Sequence, residues 1–237
     1  MAGLDGIRQW IADLGSLFFP RLCEVCDRPL VHGEDIMCLD CRYSMPTCDI
    51  HNDPFNSIHK RLLRHVPVER AAAYFHYSRN SRYANLILSA KYRNRPRIMQ
   101  SLASEFAAKI AADGFFDGID LVVPVPMHRM KRRKRGYNQT DYIADGVSKA
   151  TGIAVSRCLT ATRPHSTQTN RGAYSRWLNS RDIYRLDDTA AIEKKHILLV
   201  DDVITTGATL AACCEAIHTA SPDTKISILT LAATELQ

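Results

Sequence analysis

The sequence lacks any long apolar run. Nothing in its 237 residues approaches the roughly 18 consecutive apolar residues that a helix needs to cross a bilayer. The start of the chain also lacks the continuous apolar centre of a secretory signal, because charged residues interrupt the amphipathic pattern between Leu4 and Leu14. We therefore expect an amphipathic helix over residues 1–20, no membrane span and a cytoplasmic protein.

The length permits one full hydrophobic core together with a small additional module. The patterns along the chain divide it after the first helix into a cysteine module over 21–48, a hood or connecting segment over 49–115, and an α/β domain over 116–237. Hydrophobic residues make up 46% of the chain and charged residues 24%, which is typical of a globular protein.

Four cysteines near the start form two C-x-x-C pairs. Eleven residues separate the pairs, which are Cys23 with Cys26 and Cys38 with Cys41. Four thiolates at this spacing favour a closed structural zinc site, so we predict a small zinc ribbon. Two disulfides are the main alternative, but they need an oxidising compartment, which the absence of an export signal disfavours. Cys48 is a less suitably spaced fifth candidate.

Positive charge is concentrated in one block. The chain carries 31 basic and 25 acidic residues, a net charge of +6. Six of the basic residues fall within seven positions, namely Arg129, Lys131, Arg132, Arg133, Lys134 and Arg135. Such a block is a solvated loop, a nucleic-acid patch or an anion clamp in an active site.

Buried-strand patterns alternate with helical patterns in the second half of the chain. A strand over 120–126 ends in prolines, a helix runs to about Ala150, and further strands follow near 153–158, 197–200 and 226–231. This βαβ series predicts a Rossmann-type core with a mostly parallel sheet. If the strands at 121 and 197 are adjacent and parallel, the basic block and Asp201 lie at the same edge of the sheet.

The most informative segment runs from His196 to Thr209. A buried apolar strand leads into Asp201 and Asp202, which have no basic neighbour in sequence and can accept hydrogen bonds from the hydroxyls of a ribose. The turn that follows offers amide N–H groups and hydroxyls just before a helix that begins near Leu210. Because a helix N-terminus attracts phosphate, the segment predicts a site for a sugar phosphate.

These residues resemble the 5-phosphoribosyl-1-pyrophosphate (PRPP) signature of type I phosphoribosyltransferases. With the cysteine module, Lys91-Tyr92, the Val123–Pro126 strand end and Arg135–Gln139, the order of motifs is similar to the ComF/GntX family over nearly the whole chain. The resemblance implies a phosphoribosyltransferase-like domain over 116–237 behind a zinc module. It also implies, in competence-forming bacteria, a role in the uptake of single-stranded DNA.

The resemblance assigns roles to particular residues. Asp201, Asp202 and Arg135 are the candidate catalytic residues. The candidate PRPP-binding residues are Asp201, Asp202, Thr205, Thr206, Gly207, Ala208, Thr209, Lys131, Arg135 and Asn138. We expect Mg²⁺ to accompany PRPP and structural zinc to be held by Cys23, Cys26, Cys38 and Cys41.

The long connection over 160–185 is expected to close over the pyrophosphate or to be a surface excursion. Its candidate contact residues are Arg163, Arg171 and Arg176, and Gln168 and Asn179 belong to the resemblance. The alternative function is a non-catalytic adaptor that binds single-stranded DNA or a competence helicase.

Overall fold

The computed structural model describes residues 20–63, 66–163 and 183–234. The predicted helix over 1–20 and most of the connection over 160–185, including Gln168, Arg171, Arg176 and Asn179, lie outside these ranges. In the part of the chain that is described, no helix combines the length and the apolar character that crossing a bilayer requires.

A five-stranded parallel sheet forms the centre of the protein. Its strands are β1 (Ala71–His76), β2 (Leu121–Pro124), β3 (Ala154–Val155), β6 (His196–Ile204) and β7 (Lys225–Ala233), arranged in the order β1-β7-β6-β2-β3. Every pairing between neighbours is parallel. A separate antiparallel pair joins β4 (Leu159–Ala161) to β5 (Tyr184–Leu186). The predicted Rossmann-type core is confirmed.

Helices cover both faces of the sheet, which explains the nearly continuous apolar run in β6. One core contains buried residues of α3 (Ala84–Tyr92), α4 (Arg97–Ala111) and α6 (Gln139–Thr151). The other contains buried residues of α2 (Ser57–Leu63) and α7 (Ala208–Ala220). The described residues also form two short helices, α1 (Leu39–Tyr43) and α5 (Arg129–Arg135).

The segment over 49–115 contributes directly to the sheet. Its strand β1 pairs with β7, from Ala71 opposite Ile228 to His76 opposite Ala233. Its helix α4 packs in the same core as α6. The connecting segment therefore supplies the strand at one edge of the sheet.

The cysteine module is attached to the same sheet. The Cys48 amide donates to Tyr74 O at 2.8 Å, and the His76 amide donates to Pro46 O at 2.8 Å. Module residues such as Met37 and Met45 are buried in the core that contains α3 and α4. The module thus shares its hydrophobic core with the α/β domain.

Three local boundaries differ from the sequence patterns. Strand β6 continues through the acidic pair to Ile204, because Val203 and Ile204 still pair with β7. Helix α7 begins at Ala208, so Ala208 and Thr209 lie in its first turn. The basic block forms the short helix α5, which begins after His128 and ends at Arg135, followed by Gly136 with φ +90°.

Candidate functional site

The two aspartates lie near the carboxyl end of β6, in the middle of the sheet. The Asp202 amide donates to Asp201 Oδ1 at 2.8 Å, which fixes the first carboxylate against the backbone. Strand β2 is the parallel neighbour of β6 on one side, with Pro124 opposite Val200. The sequence prediction that the loop after β2 and the acidic pair share one edge of the sheet is therefore confirmed.

Lys91 forms an ion pair with Asp202, the second residue of the acidic pair. Its Nζ lies 2.9 Å from Asp202 Oδ2 and 3.0 Å from Asp202 Oδ1, and both side chains are largely buried. Burial opposes the charge on Lys91, but Asp202 and then Asp201 outweigh it and raise the pKa of the ammonium. Sequence analysis had noted Lys91 only as part of a family motif and had given it no role in the site.

Among the described residues, no cation forms an ion pair with Asp201. Burial, followed by repulsion from Asp202, raises the pKa of Asp201 to about 7, against the opposing effects of the Asp202 amide and Lys91. The two neighbouring carboxylates are thus electrostatically different, since one is paired with an ammonium and the other titrates near neutral pH.

This difference predicts a pH-dependent stability. Because folding raises the pKa of Asp201, its contribution to stability is fully present below about pH 4 and is lost as the pH rises toward 7. Asp201→Asn cannot ionise and escapes this loss. We expect the free energy of unfolding of Asp201→Asn, relative to that of the native protein, to increase by about 1 to 3 kcal/mol between pH 4 and pH 7. Urea unfolding at unit pH intervals measures the difference, and a constant difference would contradict the assignment.

The turn after β6 is shaped to expose backbone amides. Gly207, at the N-cap of α7, adopts φ +81°, a left-handed conformation that favours glycine. No side chain of the described residues caps this helix, although the Ala208 amide makes a long contact of 3.4 Å with Thr206 Oγ1. The first-turn amides, at the positive end of the helix dipole, are therefore available for an anion.

Helix α2 packs against this turn. The Arg61 guanidinium donates to Thr205 O and, at 2.9 Å, to Thr234 O. A Cβ on Gly207 would lie only 3.0 Å from Leu62 Cδ2, so the glycine also allows α2 to approach closely. Sequence analysis missed Arg61, and no local signal marks it because its partners lie far along the chain.

Tyr184 links the connection over 160–185 to the same turn. It begins β5, and its hydroxyl interacts with the side chain of Thr209. Burial, followed by Cys213 and Asp201, raises the pKa of Tyr184 well above its ordinary value, so the phenol stays protonated. Arg163, at the other end of the connection, is exposed.

The loop after β2 brings the basic residues to the site. Arg135, at the end of α5, lies over the Tyr92 ring at 5.6 Å and is less exposed than the four residues before it, Lys131 to Lys134. Asn138 is buried, and its side-chain amide donates to Val125 O at 3.1 Å. Asn138 thus fixes the loop, and its predicted contact with PRPP stays a prediction.

The four predicted zinc ligands come together. The sulfurs of Cys23, Cys26, Cys38 and Cys41 all lie within 4.8 Å of one another, and Cys26 Sγ is 3.7 Å from Cys38 Sγ. Sulfurs at 2.3 Å from a tetrahedral zinc are separated by about 3.8 Å, so the spacing fits that ion. None of the eight cysteines, all of which lie in the described ranges, forms a disulfide. The Arg28 amide is the main cause that lowers the pKa of Cys26 to about 7. The cluster fits a closed zinc ribbon.

Polar contacts connect this cluster to the α/β domain. The Tyr83 hydroxyl at the start of α3 donates to Cys41 O at 2.9 Å. Buried Glu24 forms an ion pair with Arg95, just beyond the end of α3. Both contacts hold α3, the helix that carries Lys91.

The parallel sheet, the acidic pair on its central strand and the uncapped helix that follows define a phosphoribosyltransferase-like protein of type I with an N-terminal cysteine cluster. The phosphoribosyl transferase domain family matches residues 99–235. The chain belongs to this family, and within it to the ComF group of phosphoribosyltransferase-like proteins.

Three relatives support that grouping. The DNA utilization protein YhgH of Escherichia coli (strain K12) is 27% identical over 207 residues, covering 82% of this chain and 89% of the relative. Competence protein F of Haemophilus influenzae is 32% identical over 38% of this chain and 41% of the relative. Competence protein ComFC of Bacillus subtilis is 26% identical over 56% of this chain and 52% of the relative.

Proposed function

We propose that the protein binds PRPP at the carboxyl end of β6 and transfers its 5-phosphoribosyl group to a nitrogen acceptor. The observation that carries this proposal is that the acidic pair is followed by the uncapped N-terminus of α7 and contacts the cation Lys91, with Arg135 close to Lys91. A ribose with a phosphate at each end needs hydroxyl acceptors in the centre and positive potential on both sides.

The turn and the acidic pair bind the phosphorylated pentose. In this arrangement the 5′-phosphate lies against the first-turn amides of α7 and the hydroxyls of Thr205, Thr206 and Thr209. The ribose hydroxyls donate to Asp201 and Asp202. Gly207 and Ala208 contribute backbone amides, which carry no side-chain bulk into the phosphate site.

The basic loop after β2 binds the leaving group, pyrophosphate. Transfer forms a bond from the acceptor nitrogen to C1 of the ribose and breaks the bond from C1 to pyrophosphate, and the acceptor releases a proton. Arg135 and Lys131 stabilise the negative charge that develops on pyrophosphate, so their contribution to catalysis is electrostatic. The connection over 160–185 is proposed to exclude water from C1.

Magnesium is proposed to arrive together with PRPP. Carboxylate oxygens are the donors that Mg²⁺ prefers, so the acidic pair suits it in type. When bound, the ion neutralises charge on the pyrophosphate.

The transfer reaction is tested by pyrophosphate release. Purified protein with PRPP and Mg²⁺ is incubated with a panel of nitrogenous bases and amines, and released pyrophosphate is quantified. The proposal expects release above the no-acceptor background for at least one class of acceptor. PRPP binding without release for any acceptor would restrict the function to binding.

The names of three relatives refer to competence or to DNA. Two of them are named competence proteins and one a DNA utilization protein. We propose that this protein acts in the cytoplasm in competence and DNA uptake, with PRPP binding as its chemical activity there.

A second candidate function is a non-catalytic adaptor for single-stranded DNA or a competence helicase. It is favoured by α5, a seven-residue helix with six basic residues and no buried side chain. A surface of this kind binds phosphates without sequence preference, and the exposed Tyr92 ring beside it is available for base stacking. A salt titration tests it: affinity for an oligonucleotide should fall linearly with the logarithm of the salt concentration, with a smaller slope after neutralisation of Lys131 to Lys134.

A further inference from the structure

We propose that Lys91, which pairs with Asp202 in this structure, binds the pyrophosphate group of PRPP. The inference rests on the proposed PRPP binding and adds a residue from α3, a helix outside the β2 and β6 loops. Lys91 Nζ reaches both oxygens of Asp202 across the site, at 2.9 and 3.0 Å.

The chemistry of an ammonium group limits its partners in the filled site. Lys91 donates hydrogen bonds and accepts none, whereas ribose hydroxyls match the carboxylates of Asp201 and Asp202 as donors. Once those hydroxyls bind the carboxylates, the partner that remains for Lys91 is a phosphate oxygen. In this structure its pairing with Asp202 compensates the charge of a largely buried cation.

The position of Lys91 indicates which phosphate group of PRPP it contacts. The 5′-phosphate is placed at the turn between β6 and α7, where Arg61 and the first-turn amides lie. Lys91 instead lies near the loop after β2, because the Tyr137 hydroxyl of that loop donates to Ala90 O, next to Lys91 in α3. The phosphate group on this side of the ribose is pyrophosphate.

The local charge balance agrees with a polyanionic ligand. Arg135 is close enough to Lys91 to oppose its protonation. Within residues 20–63, 66–163 and 183–234, no carboxylate forms an ion pair with the Arg135 guanidinium, which lies over the Tyr92 ring. Two adjacent cations therefore face one paired carboxylate, and the repulsion between them is relieved by a group with several negative charges.

Calorimetric titration with three ligands tests the inference. Lys91→Met keeps an unbranched, largely apolar side chain and removes the ammonium group. We expect it to weaken both PRPP with Mg²⁺ and inorganic pyrophosphate by about ten-fold or more, the effect of losing one charge-assisted hydrogen bond. Ribose 5-phosphate, which lacks the pyrophosphate, should bind as well as before or more tightly, because Asp202 no longer has a competing partner.

Two further variants keep the test interpretable. Lys109→Met is the matched control, since Lys109 also pairs with a carboxylate, Asp49 at 2.7 Å, but on an exposed surface. It should leave all three affinities unchanged. Lys91→Arg retains the cation and should retain PRPP binding to within about three-fold. This variant still tests the role of the positive charge if Lys91→Met does not fold.

Each alternative outcome has a separate meaning. Equal weakening of ribose 5-phosphate and PRPP by Lys91→Met would show that Lys91 only positions Asp202, and tighter binding of all three ligands would show that it only blocks the site. Either result overturns the inference and leaves the proposed function intact. Native protein that binds none of the three ligands overturns both.

Discussion

Replacing both aspartates of β6 should abolish PRPP binding. In Asp201→Asn with Asp202→Asn the two acceptors of the ribose hydroxyls lose their charge, and each charge-assisted hydrogen bond contributes about 1.5 to 3 kcal/mol. We expect the dissociation constant for PRPP with Mg²⁺ to rise at least about 100-fold. Calorimetry on the native protein and the variant measures this change directly.

The chain offers a matched control for the double substitution. Asp187 and Asp188 form a second adjacent acidic pair, exposed beyond the end of β5. Asp187→Asn with Asp188→Asn makes the same chemical change and should leave PRPP affinity unchanged. Equal losses of affinity in the two double variants would mean that general charge, not the acidic pair of β6, attracts the ligand.

Disrupting the cysteine cluster should have the largest effect on stability. Cys38→Ser removes one of four ligands, and structural zinc sites contribute folding free energy directly. Because the cluster shares a core with α3 and α4, we expect the loss to exceed about 4 kcal/mol and to reach the α/β domain. Elemental analysis should find about one zinc per native chain and less in the variant, and thermal unfolding should show the loss of stability.

A buried cysteine outside the cluster serves as the control. Cys158→Ser makes the same substitution at a buried position and should keep the zinc content while costing about 1 to 2 kcal/mol. We further expect Cys38→Ser protein that remains folded to retain PRPP binding. Native protein that folds and contains no zinc would contradict the assignment of the cluster.

The parts of the fold that the sequence predicts are those with local causes. The apolar run before Asp201 requires a strand covered on both faces, and the turn at Gly207 requires a left-handed residue before a helix. The two C-x-x-C pairs place sulfurs at the spacing that a zinc ion needs. Each of these features depends on residues within a few positions of one another, except that the two cysteine pairs must also meet.

The parts that the sequence does not predict depend on distant contacts. Lys91 pairs with a residue 111 positions away, and Arg61 bonds to one 144 positions away. Strand β1 has an ordinary strand pattern, but nothing in Ala71–His76 indicates that its neighbour in the sheet is β7. The electrostatic difference between Asp201 and Asp202 follows from the burial of Asp201 and from the contact of Asp202 with Lys91, neither of which is visible in the local sequence.

The central claim is that the acidic pair and the turn beside it bind a phosphorylated pentose. Titration of PRPP into purified native protein in the presence of Mg²⁺ tests this most directly. The account predicts saturable binding of one PRPP per chain, with ribose 5-phosphate competing for the same site. Absence of measurable PRPP binding in folded, zinc-loaded protein would contradict it.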